Sequence, residues 1–289
     1  MKLAGGILSL GLGGALIWWA AWTGGAAGPQ RLLDGEDSCS RKPCFHYVRT
    51  ATYSCAGQSH TVKEYRHDST GLQFVLLPGG SLQKPAGDNQ PITSVTVEPF
   101  LVAKTEVQQR VWTSVMGGNP ARHKGESLPV DSVSWVQAQA FCRKTKLSLP
   151  TELEWEYACR GGTTGLYFWG ERMDPEYCWL EVNADELTRP VATRRPNAFG
   201  LHDMIGNVYE WCDSWFHSEG MSYTHEGDRP RSGEKPLRVL RGGCAASPGC
   251  CAFSSSRSGN WPAKTTPYDG FRPIARLAAA QLIGEERQE

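Results

Sequence analysis

The longest apolar stretch of the chain lies at its amino terminus. Residues 3–22 carry no charged side chain, follow a lysine at position 2 and hold three tryptophans near their end. Twenty residues at about 1.5 Å rise span roughly 30 Å, the thickness of a bilayer core. The pattern predicts an uncleaved membrane anchor or a cleaved signal peptide. The rest of the chain is then expected outside the cytoplasm. It would be held at a bacterial-type inner membrane in the first case, and secreted or periplasmic in the second.

Three helix starts are predicted by a Ser or Thr that stands three residues before a Glu or Gln. In such a capping box the two side chains bond to each other's backbone N–H groups. The boxes begin at Thr105, Ser134 and Thr151. The first and third helices are predicted to end before glycine pairs, at about Met116 and Arg160.

Short apolar runs predict strands between and around these helices. They lie at residues 74–77, 94–97, 101–103 and 237–240. The stretch 163–235 has many turn residues and little periodicity, which is typical of loops that carry function. The predicted organisation is an anchor or signal at 1–22, a linker at 23–38, a small cysteine-containing segment at 39–70, a globular domain at 71–277 and a polar tail at 278–289.

The charge of the chain argues against a nucleic-acid partner. Lys and Arg number 30, and so do Asp and Glu, which gives a formal net charge of zero over 289 residues. Bulk electrostatic binding to nucleic acid needs a basic surface that this balance does not provide. The common motifs for nucleotide binding, zinc proteases and serine hydrolases are also absent from the sequence.

The cysteines of the segment 39–70 have two interpretations. Cys39, Cys44, Cys55 and His60 can be drawn as a zinc site, or the cysteines can form one or more disulfides. The spacing is loose for zinc, and an extracytoplasmic location favours disulfides.

Several sequence strings beyond this segment occur in a fixed order. They are VSWVQA at 133–138, LPTELEWEYACRG at 149–161, WG at 169–170, PNAFGLHDMIGNVYEWC at 196–212, RGG at 241–243 and GFR at 270–272. Together they resemble the formylglycine-generating enzyme family, also called the sulfatase-modifying factor family, over about 70% of the chain. The resemblance implies an α+β domain with a C-type-lectin-like topology, low in regular secondary structure and stabilised by calcium.

The resemblance also implies calcium ligands. In the loop that begins at Asp203, the family pattern places the Asp203 side chain and the carbonyl oxygens of Met204, Gly206 and Val208 around the ion. Calcium takes six to eight oxygen ligands, and a tight turn can aim several carbonyls inward. The alternative is that this loop only closes an Asx-type turn. A second family site would begin at Asn183 and the next carbonyl, although the loop that completes it is shorter here.

Family members of the oxidase type turn a sulfatase cysteine into formylglycine with molecular oxygen and a copper(I) ion held by two cysteines. The pair follows a Gly-Gly turn in the pattern GG-S-x-x-C-x4-C, and soft thiolates select Cu(I). Here Cys244 takes the place of the serine, while Ser247 and Ala252 take the places of the two cysteines. Three thiols, Cys244, Cys250 and Cys251, are the candidate catalytic residues of a rearranged site, but none is in register. Copper is therefore possible but not favoured.

The resemblance implies disulfides for some core cysteines. Cys159 corresponds to a bridging position, with Cys250 or Cys251 as its partner. Cys142 corresponds to another, but its usual partner is replaced by Pro273. The alternatives for Cys142 are Cys178, Cys244 and a free thiol.

Three functions compete. The first is a binding or accessory module, tethered through residues 3–22, that presents its loops to a protein, peptide or glycan. The second is an oxygen-dependent oxidase that converts a sulfatase cysteine at the rearranged cysteine site. The third is an oxidative chemistry that uses iron or no metal. Since function lives in the site and not in the fold, the cysteine register decides among them, and it favours a role without copper.

Overall fold

A computed structural model describes residues 44–85, 92–217 and 235–276 of the chain. The predicted anchor, linker and tail lie outside these residues. Among the residues described, no helix is long and apolar enough to cross a bilayer. The strands are β1 Phe45–Cys55, β2 Gln58–His67, β3 Gln73–Leu77, β4 Gly80–Pro85, β5 Ile92–Val97, β6 Phe100–Ala103, β7 Tyr209–Trp215, β8 Arg238–Arg241, β9 Arg257–Asn260, β10 Asp269–Gly270 and β11 Ile274–Arg276. The helices are α1 Gln109–Met116, α2 Trp135–Thr145, α3 Glu152–Arg160 and α4 Glu181–Ala184.

Strands dominate the described residues and the helices are short. One sheet has the order β1-β2-β3-β6-β11, a second has the order β10-β7-β8-β9, and β4 pairs with β5. Pairing is antiparallel except between β10 and β7. Strand β2 pairs with β3 from Lys63 opposite Leu76 to Arg66 opposite Gln73. The described part of the cysteine-containing segment, residues 44–70, therefore continues the sheet of the domain instead of standing apart from it.

Local sequence explains the boundaries of α2 and α3. Both capping boxes form, with Ser134 accepting from the Gln137 N–H and Thr151 accepting from the Glu154 N–H. The box predicted at Thr105 was wrong. Helix α1 begins at Gln109, and the Thr105 hydroxyl donates to the carbonyl of Glu106 instead of capping a helix. The ends of α1 and α3 were predicted correctly, because a left-handed glycine follows each.

The β1–β2 hairpin is fixed to the domain by one tyrosine and a buried ion pair. A Cβ added at Gly200 would lie 2.4 Å from the Tyr53 ring, so the ring covers that glycine directly. The ammonium of Lys104 donates to the Tyr53 hydroxyl at 2.9 Å and to Glu64 at 2.7 Å. Tyr53 also donates to Glu64. Charged groups that are buried need such partners, so this network orients the hairpin.

The zinc interpretation of the cysteine-containing segment was wrong. Cys44 is disulfide-bonded, and its partner is not among the described residues. Cys55 is a buried free thiol that bonds to the Phe168 carbonyl at 3.8 Å, and His60 bonds to the Gly161 carbonyl at 3.1 Å. These groups hold the hairpin to the loops beside it and do not converge on an ion.

Candidate functional site

A fully buried ion pair organises the centre of the domain. The guanidinium of Arg272 donates to both carboxylate oxygens of Glu210, at 2.7–2.9 Å. It also donates to the carbonyls of Ala103 and His202. The indole of Trp155 donates to Glu210 at 2.6 Å. Arg272 therefore joins β6, β7 and the loop before Asp203, and Trp155 belongs to the core.

Two further carboxylates lie beside this pair and are incompletely bonded. Asp203 accepts the Ala192 N–H at 2.7 Å through Oδ2, and the Asn207 amide lies 3.4 Å from Oε2 of Glu106. The remaining oxygens, Asp203 Oδ1 and Glu106 Oε1, are buried without a hydrogen-bond partner. Buried polar atoms in this state are uncommon and need an explanation.

Burial and repulsion from neighbouring carboxylates raise the pKa values of Asp203 and Glu106. Burial raises the pKa of Asp203 to about 6, and the charge of Glu210 adds to the shift. Burial also raises the pKa of Glu106 well above its usual range, with further contributions from Asp203 and Glu210. Asp203 and Glu106 thus add two acidic groups beside a pair in which Arg272 is already matched by Glu210.

The predicted Asx-type turn does not form at this loop. Asp203 and Asn207 both have positive φ, but their side-chain oxygens accept N–H groups of the preceding loop, at Ala192 and Arg189. The residues present fit a calcium ion, because two orphan carboxylate oxygens are ligands that calcium prefers. In the described ranges no three His, Cys, Asp or Glu side chains form a metal-binding group, so backbone carbonyls would have to complete such a site.

The predicted second calcium residue is occupied otherwise. The Oδ1 atom of Asn183 accepts the Leu180 N–H at 2.8 Å, and its amide donates to the Cys178 carbonyl at 2.9 Å. Asn183 therefore caps the start of α4, the short helix in which it lies. Glu106, in contrast, was missed as a site residue because the capping-box pattern placed it in the first turn of a predicted helix. The sequence feature that could have indicated a site residue is a lone acidic residue between an apolar strand and a valine.

The two copper-register positions, Ser247 and Ala252, both lie beside the Gly-Gly turn after β8. A Cβ added at Gly243 would lie 2.7 Å from the Cβ of Ala252 and 3.4 Å from the hydroxyl of Ser247. Both residues are buried. Ser247 accepts the Cys244 N–H at 3.0 Å, and its hydroxyl lies 3.4 Å from the Cys244 sulfur. Cys244 is buried too, and burial raises the pKa of its thiol.

The other two thiols of the predicted site lie elsewhere. Cys250 and Cys251 are exposed in a short 3-10 turn, Gly249–Cys251, with their sulfurs 3.4 Å apart. The structure thus divides the three candidate catalytic cysteines into one buried thiol and one exposed pair.

The predicted core disulfides are not formed in the described residues. Cys142, Cys159, Cys178 and Cys244 are buried free thiols, while the expected partners of Cys159 are exposed. Burial raises the pKa of Cys159 to about 12, which keeps it a protonated, unreactive thiol.

A model of the sulfatase-modifying factor enzyme 1-like domain matches residues 59–277. The chain belongs to this family. It is 36% identical over 187 residues to the formylglycine-generating enzyme of Streptomyces coelicolor, a match that covers 56% of this chain and 59% of the relative. It is 29% identical over 228 residues to the chaperone protein LppX of Paenibacillus barcinonensis, covering 59% of this chain and 77% of the relative.

The fold of the family is found in solved structures as well. Treponema denticola variable protein 1 matches with a TM-score of 0.59 and 26% identity, over 80% of this chain and 100% of that protein. The match covers less than two thirds of the length of the Streptomyces enzyme. The names of the relatives include both an enzyme and a chaperone.

Proposed function

We propose that this protein is a binding or accessory module of the sulfatase-modifying factor family. Residues 3–22 would tether it to the outer face of a membrane, or would be cleaved as a signal peptide so that the domain is released. The observation that carries the proposal is the pair Ser247 and Ala252. Both lie beside Gly243, and they stand at the sequence positions where the family's oxidases carry two copper-binding cysteines. A hydroxyl and a methyl group do not supply the soft thiolates that hold Cu(I).

The character of Cys244 supports the same proposal. A thiol must ionise to bind metal or attack a substrate, and Cys244 is buried with a raised pKa. A chaperone among the relatives is consistent with a non-oxidase role for this fold.

A cavity of about 490 Å³ offers a place for a ligand. It lies between β4, the end of α3 and the loop after it, and its lining combines apolar and hydrogen-bonding groups, among them Leu82, Tyr157, Arg160, Thr163 and Ser255. Such a mixture suits part of a peptide or a glycan. We include calcium in the proposal as a stabilising ion beside Asp203 and Glu106, because their orphan oxygens fit it.

The test combines copper binding with peptide oxidation, on the full chain because the β1–β2 hairpin completes its sheet. Loaded with Cu(I) in air, the protein should leave a Cys-x-Pro-x-Arg peptide unchanged by mass spectrometry. The variant Ser247→Cys/Ala252→Cys should bind one more Cu(I) ion than the wild type against a competing chelator. Each single variant is the matched control and should not gain that ion.

Conversion of the peptide to its aldehyde by the wild-type protein would contradict the proposal. If that activity were then lost in Cys244→Ala or in Cys250→Ser/Cys251→Ser, the rearranged cysteine site would be the oxidase centre.

A further inference from the structure

The function proposed above leaves the exposed thiols Cys250 and Cys251 without a role. Their sulfurs lie 3.4 Å apart at the protein surface. The remaining free cysteines in the described ranges are all buried, namely Cys55, Cys142, Cys159, Cys178, Cys212 and Cys244. Because thiol chemistry requires access as well as ionisation, reagents from solvent will meet this pair first.

The backbone around the pair is held in place from two sides. The Tyr167 hydroxyl donates to the Gly249 carbonyl at 2.7 Å, and the Cys251 N–H donates to the Pro248 carbonyl at 2.9 Å. The Tyr167 ring in turn stacks on Trp169, with 4.6 Å between ring centroids. The two sulfurs are thus presented together by a fixed turn and do not meet only by chance rotation of free side chains.

The two thiols also influence each other. The Cys250 sulfur raises the pKa of Cys251, first through a hydrogen bond and then through its charge.

We propose that Cys250 and Cys251 form a modifiable vicinal dithiol, which small disulfides in the surroundings oxidise reversibly to a Cys250–Cys251 bond. One thiolate attacks the small disulfide RSSR, forms a mixed disulfide and releases RS⁻. The neighbouring thiol loses its proton and displaces the second RS⁻. Two electrons pass from the two protein sulfurs to the small disulfide, which leaves as two thiols.

The geometry makes this bond labile. The sulfurs must approach from 3.4 Å to about 2.05 Å, a movement that side-chain rotation and a small backbone change can supply. Adjacent Cα atoms are about 3.8 Å apart, whereas most disulfides join Cα atoms about 4.4–6.8 Å apart. A bond between neighbours is therefore strained and easily reduced, so it acts as a reversible modification and not as a structural brace. The proposed oxidation of this dithiol does not depend on whether the domain is a binding module or an oxidase.

The experiment titrates the native full chain with excess dithionitrobenzoic acid and follows release of thionitrobenzoate. The wild type should release about two equivalents of thionitrobenzoate in a rapid phase. This phase should be at least about tenfold faster than any later phase, since buried thiols react only after local opening. Its mass should fall by two hydrogens with no adduct, and dithiothreitol should restore it. Cys250→Ser and Cys251→Ser should each release about one equivalent in that phase and keep a thionitrobenzoate adduct.

The variant Cys244→Ala separates this proposal from a bond to the buried thiol. It should form the new bond as the wild type does, as shown by a tryptic peptide of residues 242–257 that carries the mass loss. Two stable adducts on the wild type, or loss of the rapid phase in Cys244→Ala, would overturn the proposal. Far-ultraviolet circular dichroism checks that each variant is folded.

Discussion

Replacing Asp203 by asparagine should change the stability of the protein in opposite directions with and without calcium. Asp203 is buried and its Oδ1 atom has no partner. Burial raises its pKa from 3.8 to about 6. At about 1.4 kcal/mol per pKa unit, the ionised group costs the metal-free protein about 3 kcal/mol at neutral pH. Asparagine removes the charge and most of that cost.

The pH dependence of the metal-free wild type follows from the same shift. Between about pH 4 and pH 6 the folded protein keeps a proton on Asp203 that the unfolded chain has lost. The free energy of unfolding should therefore fall as the pH rises through this window and stay low above it. If calcium binds beside Asp203, the ion would replace the proton, and the carboxylate would be a better ligand than the amide of asparagine.

Thermal unfolding followed by circular dichroism measures both effects at neutral pH. In excess chelator, Asp203→Asn should melt up to about 10 °C above the wild type, since 1 kcal/mol corresponds to roughly 2–4 °C in a domain of this size. In millimolar calcium the order should reverse, because the wild type gains binding energy that the variant loses.

Asp131→Asn is the matched control. Asp131 is equally buried, has one unpartnered oxygen, and burial also raises its pKa, but it contacts Arg122 and Ser132 instead of the Asp203 loop. Its effect should not depend on calcium. If Asp203→Asn had the same sign in both conditions, or if calcium did not shift the wild-type melting temperature, the assignment of a calcium site would fail.

Three other substitutions test the packing by their melting temperatures and denaturant midpoints. Gly206→Ala should prevent stable folding or cost several kcal/mol, because its Cβ would lie 2.1 Å from the Trp179 carbonyl oxygen and φ is +88°; a loss below about 1 kcal/mol would contradict this. Arg241→Met should cost about 3–5 kcal/mol, since the buried guanidinium binds Glu156 at 2.8 Å and three backbone carbonyls; near-neutrality would refute it. Thr151→Ala should cost about 1 kcal/mol through loss of the α3 cap, and an unchanged midpoint would show that the cap is not needed.

The parts of the fold that depend only on residues close in sequence were predictable. The capping boxes at Ser134 and Thr151 formed because each satisfies backbone groups three residues away, whatever surrounds the helix. The same pattern at Thr105 was wrong because tertiary contacts outweighed it. Glu106 is drawn into the carboxylate cluster, which leaves the helix to begin four residues after Thr105.

The candidate site also has features that the sequence indicated and contacts that it did not. The motif strings pointed to Asp203 and the Gly-Gly turn, because a fixed spacing along one loop can be read from the sequence, and the roles of these residues stay predictions. The meeting of Glu106 with Asp203 was not predictable, since their segments are far apart in sequence and no local pattern links them. The disulfide predicted for Cys159 was wrong for a similar reason, whereas Cys142 is a free thiol, which was one of its predicted alternatives. A register of cysteines does not say which of them a turn exposes, and Cys250 and Cys251 lie at the surface while Cys159 is buried.

The β1–β2 hairpin has a mechanical consequence. Its open end pairs Phe45 with His67, and the turn lies at the far end, beyond Cys55. A pulling force on the chain before residue 44 would therefore separate the two strands one residue pair at a time, like a zipper, instead of loading all pairs together. Peeling would meet its first strong resistance where Arg49 and Tyr53 hold Glu64. Strand β1 can thus peel away under tension while β3, β6 and β11 of the same sheet stay paired.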